Sequence, residues 1–206
     1  GAKGKELPGI IDSDGNLRSL AGLVNEESEQ FLSDKGLAEL GRMNLSKLPL
    51  VPGKPRFGCP VANVSKFVAI GLNYTDHAKE TNSPIPKEPI IFMKALNGLQ
   101  GPNDNVMLPR GSVKTDWEVE LGIVISKKTR YVTKGNALDH VAGYVLVNDV
   151  SEREFQAERG PQWDKGKGCD TFGPVGPYLV TRDEVKDPQN LELWLDVNGK
   201  RMQTGN

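Results

Sequence analysis

The 206-residue chain carries 26 basic and 27 acidic residues for a net charge of -1, with 37% hydrophobic and 26% charged residues. That composition suits a folded chain with one main core, and it offers no positive excess to draw the chain to phosphate backbones or anionic lipid. Its 23 Gly and 14 Pro exceed the roughly 12% usual share of these residues, which favours turns between short strands over helical bundles or coiled coils.

At the start, Gly9 to Leu17 reads as two short strands around an Asp-Gly turn, a local hairpin signal. Residues 26–42 carry acids and then Leu37 and Leu40 after Ser33, a residue able to cap one amphipathic helix. Residues 48–55 hold three prolines and a glycine, a linker composition that places a boundary near residue 60. Beyond it, Lys66 to Gly71, Pro89 to Lys94, Trp117 to Ser126, Val141 to Val147, Pro177 to Thr181 and Leu191 to Val197 are β-branched or aromatic runs bounded by turn formers. The helical candidates between them, Thr75 to Glu80 and Ser151 to Arg159, are too brief for a βαβ alternation. The fold class expected is therefore mainly β (α+β) with short helices. Asn198-Gly199 starts a type I′ hairpin, whose return strand is expected to be barely begun at Asn206.

No apolar run approaches the roughly 20 residues that span a bilayer, and residues 1–10 lack a basic stretch followed by an apolar one. Cys59 and Cys169 are far apart and outside any metal-ligand spacing. A reducing, cytoplasmic setting is therefore expected, with neither membrane nor nucleic acid as partner.

Four places carry candidate chemistry. In Asp116 to Ile125 the side chains alternate, which puts Glu118 and Glu120 on one face. Two neighbouring carboxylates repel unless water or a cation screens them, so the pair is either the wet face of an amphipathic strand or part of an oxygen-ligand site for a hard divalent ion. Asp149 ends the apolar run from Ala142, where it is either a third ligand or a turn former capping the segment that follows. His77 and Glu80 lie three apart; on a helical turn the carboxylate can orient the imidazole as a general base, or the two form a casual surface pair. Arg153 and Gln156, also three apart, can fork onto a substrate carboxylate or lie on a helix surface. Asp164 to Asp170 lacks the phosphate-loop pattern and reads as a mobile loop, from which Lys167 could polarise an oxygen.

Taken in order, Gly71-Leu72-Asn73-Tyr74 with Asp76-His77-Ala78 and Glu80, Trp117 to Leu121, Asn148-Asp149-Val150-Ser151 with Arg153, and Lys167 with Asp170 to Pro174 strongly resemble the fumarylacetoacetate hydrolase family from about residue 60 onward. Within it, Asp149 to Gln156 and Gln162 to Gly168 look most like the branch named ureidoglycolate lyases or diketo-deoxy-sugar-acid hydrolases. The resemblance implies a mixed β-sandwich roll, usually a homodimer, with a small α+β element over 1–60 and a catalytic domain over 61–206. It implies Mg²⁺ or Mn²⁺ on Glu118, Glu120 and Asp149, a water-activating pair at His77 and Glu80, a catalytic Lys167, and substrate contacts from Arg153 and Gln156. The activity so implied is cleavage of a carbon-carbon bond in a 2,4-dioxo acid, with a lyase or decarboxylase as the alternative. Family members continue past the Asn198-Gly199 hairpin, so the chain is expected to be truncated at its C-terminus, which leaves a non-catalytic β-rich binding domain as the other reading.

Overall fold

A computed structural model describes residues 1–23 and 31–206. The chain opens with β1 (Gly9–Ile11) and β2 (Leu17–Ser19), paired antiparallel. Asp12 closes the turn between them by accepting hydrogen bonds from the Asp14 and Asn16 N–H groups and from Arg18. Helix α1 (Asp34–Gly41) begins where the Ser33 hydroxyl accepts from the Gly36 N–H at 3.2 Å. The earlier part of the helix expected over 26–42 falls largely outside the described residues.

Two more antiparallel strands, β3 (Val68–Gly71) and β4 (Ile90–Met93), flank helix α2 (Thr75–Glu80). The main sheet joins β5 (Leu99–Gln100), β7 (Val119–Ile125), β8 (Val141–Asn148) and β10 (Gly173–Thr181) in the order β5-β10-β8-β7. Only the β10–β5 pairing is parallel, so the sheet is mixed. Beside it, β6 (Thr115–Asp116) pairs with β9 (Ser151–Glu152). A π-helical turn (Glu154–Glu158) and the short helix α3 (Asp164–Lys167) follow. The hairpin of β11 (Leu193–Val197) and β12 (Lys200–Gly205) turns at Asn198 and Gly199 with φ of 51° and 78°, the left-handed pair that a type I′ turn requires. The Gln203 side chain ties that hairpin to β7 by accepting from the Val119 N–H at 2.8 Å and donating to its carbonyl at 3.3 Å.

The architecture is mainly β with short helices, as the sequence pattern predicts, but three local expectations are corrected. Ser151 and Glu152 are strand rather than helix, because β6 supplies backbone partners that an isolated segment lacks. Residues 164–167 are a helical turn with Gly166 and Lys167 buried, not a mobile loop. The return strand after Gly199 runs six residues.

The core gathers on Val145, Val147 and Val175, with Phe67, Leu99, Val124 and Leu179 packed against them; each such side chain contributes roughly 1.5–3 kcal/mol when fully buried. This reverses the expected polarity of part of β7. Ile123 and Ile125 are 55% and 54% exposed, whereas Val124 and Gly122, on the Glu118–Glu120 face, pack inward against β8. The face carrying the two glutamates thus leads into the core. Among the described residues no helix is long and apolar enough to cross a membrane.

Candidate active site

Alternation along β7 and antiparallel pairing with β8 bring the acids together. Val119 sits opposite Asn148, and one residue outward the Asp149 N–H donates to the Glu118 carbonyl at 2.9 Å. Glu118 and Asp149 therefore leave adjacent strand ends side by side. Gly166 lets α3 approach this point: a Cβ there would collide with the Glu152 carbonyl oxygen and the Gln156 N–H. Close backbone approach at Gly166 brings the next residue, Lys167, to the two acids.

The Lys167 ammonium, 2% exposed, donates to Glu118 Oε2 at 2.7 Å and to Asp149 Oδ2 at 2.9 Å. Arg153 donates to Glu118 Oε1 at 2.6 Å, to Asp116 Oδ2 at 2.9 Å and to Gln156 Oε1 at 3.2 Å. Asp149 Oδ1 accepts from the buried Lys94 at 2.5 Å. Burial opposes ionisation of Asp149, yet Lys167 and Lys94 hold its carboxyl below the ordinary carboxylate range.

Glu120 behaves differently. No hydrogen bond or ion pair reaches its carboxylate among the described residues. Burial first, then the negative charges of Glu118 and Asp149, push its pKa up to about 8, with Lys167 only partly offsetting them. The phenol of Tyr74, the residue before α2, is pushed up by burial and then by the charge of Glu120.

The structure thus joins Glu118, Asp149, Lys167, Arg153 and Gln156 in one network with Glu120 electrostatically coupled to it. His77 and Glu80 stand apart on the exposed turn of α2, with Nδ1 and Oε2 4.0 Å apart. The Arg153 fork is already engaged by two protein carboxylates. Sequence reasoning missed Lys94 and Asp116. The signal for Lys94 was strand parity: Phe92 and Lys94 alternate inward from β4 and are both buried.

Among the described residues no three His, Cys, Asp or Glu side chains form a ready-made metal cluster; Glu118 and Asp149 are turned onto Lys167, Lys94 and Arg153. The donor chemistry nevertheless fits a hard cation. All candidate ligands are carboxylate oxygens, and Glu120 is a half-buried acid with no ion pair or hydrogen bond to offset its ionisation among the described residues. Glu118, Glu120 and Asp149 would hold such an ion.

Residues 66–206 match the family described as Fumarylacetoacetate (FAA) hydrolase C-terminal. The chain belongs to the fumarylacetoacetate hydrolase family. A protein of Burkholderia lata provisionally named a hydrolase is 58% identical over the whole chain, which spans 73% of that relative. The fumarylacetoacetate hydrolase of Exiguobacterium antarcticum superposes with a TM-score of 0.76 at 30% identity, over 96% of this chain and 70% of its own. The 2-hydroxyhepta-2,4-diene-1,7-dioate isomerase of Mycobacterium marinum superposes with a TM-score of 0.63 at 32% identity, covering 97% of this chain and 73% of that one. The protein is an enzyme of the fumarylacetoacetate hydrolase family.

Proposed function

We propose that the protein is a divalent-cation-dependent hydrolase that cleaves a carbon-carbon bond in a 2,4-dioxo acid, either acylpyruvate-like or a diketo-deoxy sugar acid. The observation that carries this reading is the convergence of three carboxylates at two strand ends, one of them, Glu120, without an ion pair among the described residues. A Mg²⁺ or Mn²⁺ ion on Glu118, Glu120 and Asp149 supplies, when bound, Lewis-acid polarisation of a 2-oxo acid.

The remaining chemistry falls to the chain itself. Lys167 presents its ammonium on the carboxylate side of the site, where it stabilises negative charge developing as the carbon-carbon bond breaks. His77, with Glu80 on the same turn, is the base that takes a proton from the water attacking the second carbonyl, which requires the exposed turn of α2 to approach the acids. Arg153 and Gln156 bind the substrate carboxylate, which requires the guanidinium to exchange one of its present carboxylate partners. The Asp149 to Gln156 segment supports the ureidoglycolate-lyase and diketo-deoxy-sugar-acid branch. Free Cys59 and Cys169 suit a reducing cytoplasm, and exposed strand residues such as Ile91 and Ile123 suit a homodimer.

A second reading has a specific observation in its favour, the similarity to a 2-hydroxyhepta-2,4-diene-1,7-dioate isomerase. Isomerisation moves a proton between oxygen and carbon and needs no attacking water. A turnover screen of the full-length protein with Mg²⁺, using an acylpyruvate, a diketo-deoxy sugar acid, oxaloacetate, ureidoglycolate and a 2-hydroxy-dienoic diacid, separates them. Metal-dependent release of pyruvate from a dioxo acid is expected; isomerisation of the diacid with no cleavage of any substrate would replace the hydrolase reading.

A further inference from the structure

Lys94 takes part in no step above, yet it is 3% exposed and directly follows β4. Its ammonium has three N–H donors, and three acceptors meet them: Asp149 Oδ1 at 2.5 Å, the Lys167 carbonyl at 2.7 Å and the Val150 carbonyl at 3.2 Å. A cation with every donor assigned has none left for a substrate. The acceptors come from the end of β8 and the end of α3, so one buried side chain joins the three segments that meet at the site.

The consequences differ for the two ends. Holding Oδ1 fixes the Asp149 carboxylate so that Oδ2 faces Lys167 and the Glu118 side. Holding the Lys167 carbonyl fixes the backbone from which the Lys167 side chain departs. An apolar side chain of similar length would fill the volume but release Asp149 to turn and leave two buried carbonyls unpartnered.

We infer that Lys94 is a positioning residue, which sets Asp149 and Lys167 relative to Glu118 so that the carboxylates present a cation site. The inference rests on the cation reading above. Charge alone makes the opposite prediction, because Lys94 is a positive group beside the site and its removal would tighten a divalent cation. The sign of the change in affinity therefore decides between them.

The experiment is calorimetric titration of Mg²⁺ into the full-length wild type, Lys94→Met, Lys94→Gln and Leu20→Ala, well below each melting transition. Leu20 is a buried residue of the N-terminal element, and its truncation serves as a destabilised control. We expect Lys94→Met to bind Mg²⁺ at least ~10-fold more weakly, Lys94→Gln to lose less because it keeps a donor, and Leu20→Ala to melt lower with unchanged affinity. If Lys94→Met does not fold, Lys94→Gln is read by the same criterion. Wild-type binding with equal or tighter binding in the Lys94 variants, or an equal loss in Leu20→Ala, would overturn the inference and leave the cation reading standing. No Mg²⁺ binding by the wild type would overturn both.

Discussion

Replacing Glu120 by Gln fixes in place the neutral form that the folded protein favours at this position. Its pKa rises from an ordinary 4.5 to about 8 on folding, chiefly through burial and then through Glu118 and Asp149. Because the folded value lies above the unfolded one, the folded state binds more protons between them, and this contribution to stability, present below 4.5, is lost as pH rises through about 8. At about 1.4 kcal/mol per pKa unit, the loss between pH 5 and pH 7.5 is roughly 3 kcal/mol. Glu120 keeps partial contact with solvent, so that figure is an upper bound. For a chain of this size it corresponds to roughly 5–10 °C in Tm. Melting curves of metal-free wild type and Glu120→Gln at matched pH values should coincide near pH 5 and separate toward pH 8, with the variant the more stable. Saturating Mg²⁺ should raise the wild-type Tm at pH 8 by converting the unpaired acid into a ligand, and should do little for the variant. A constant gap at every pH, or a variant less stable than the wild type at pH 8 without metal, would refute the argument that Glu120 is a half-buried acid whose ionisation the fold opposes.

His77→Ala should lose ~10²- to 10⁴-fold in cleavage of a 2,4-dioxo acid while keeping its metal and far more of any oxaloacetate decarboxylation; equal loss on both substrates, measured as steady-state rates, would remove His77 as the water-activating base. Lys167→Met takes one cation from two buried acids and should destabilise the metal-free protein by ~3–5 kcal/mol, read by denaturant titration, with Mg²⁺ recovering part of the loss. Gly122→Ala places a methyl 2.6 Å from Val145 Cγ2 and 2.7 Å from Val147 Cγ2, and should cost ~1–3 kcal/mol by overpacking, checked by the shift in Tm. The full-length protein should have the mass of a homodimer by light scattering at micromolar concentration.

Local chemistry made much of the fold legible. The Asp12 to Gly15 turn and the Asn198-Gly199 hairpin announce themselves through residues whose backbone preferences hold regardless of context. The pairing of β6 with β9 was not legible, because Ser151 and Glu152 take their strand conformation from partners at Thr115 and Asp116 far away in the chain. The same limit hid the burial of Lys167: a Lys-Gly-Lys segment resembles solvated loop until Gly166 is seen against the Glu152 carbonyl. Alternation placed Glu118 and Glu120 together, but not the inward direction of their face, which depends on Val145 and Val147 across the ladder. Lys94 showed only as a polar residue ending an apolar strand, since its partner Asp149 lies 55 positions away.

The central claim is that Glu118, Glu120 and Asp149 together hold a divalent cation, and crystals of the full-length protein grown with Mn²⁺ test it most directly. Anomalous diffraction should place one Mn²⁺ within about 2.0–2.3 Å of a carboxylate oxygen from each of the three, with Glu120 swung onto the ion. A peak bound by other side chains, or none at these acids with Lys167 still joining Glu118 to Asp149, would contradict the account.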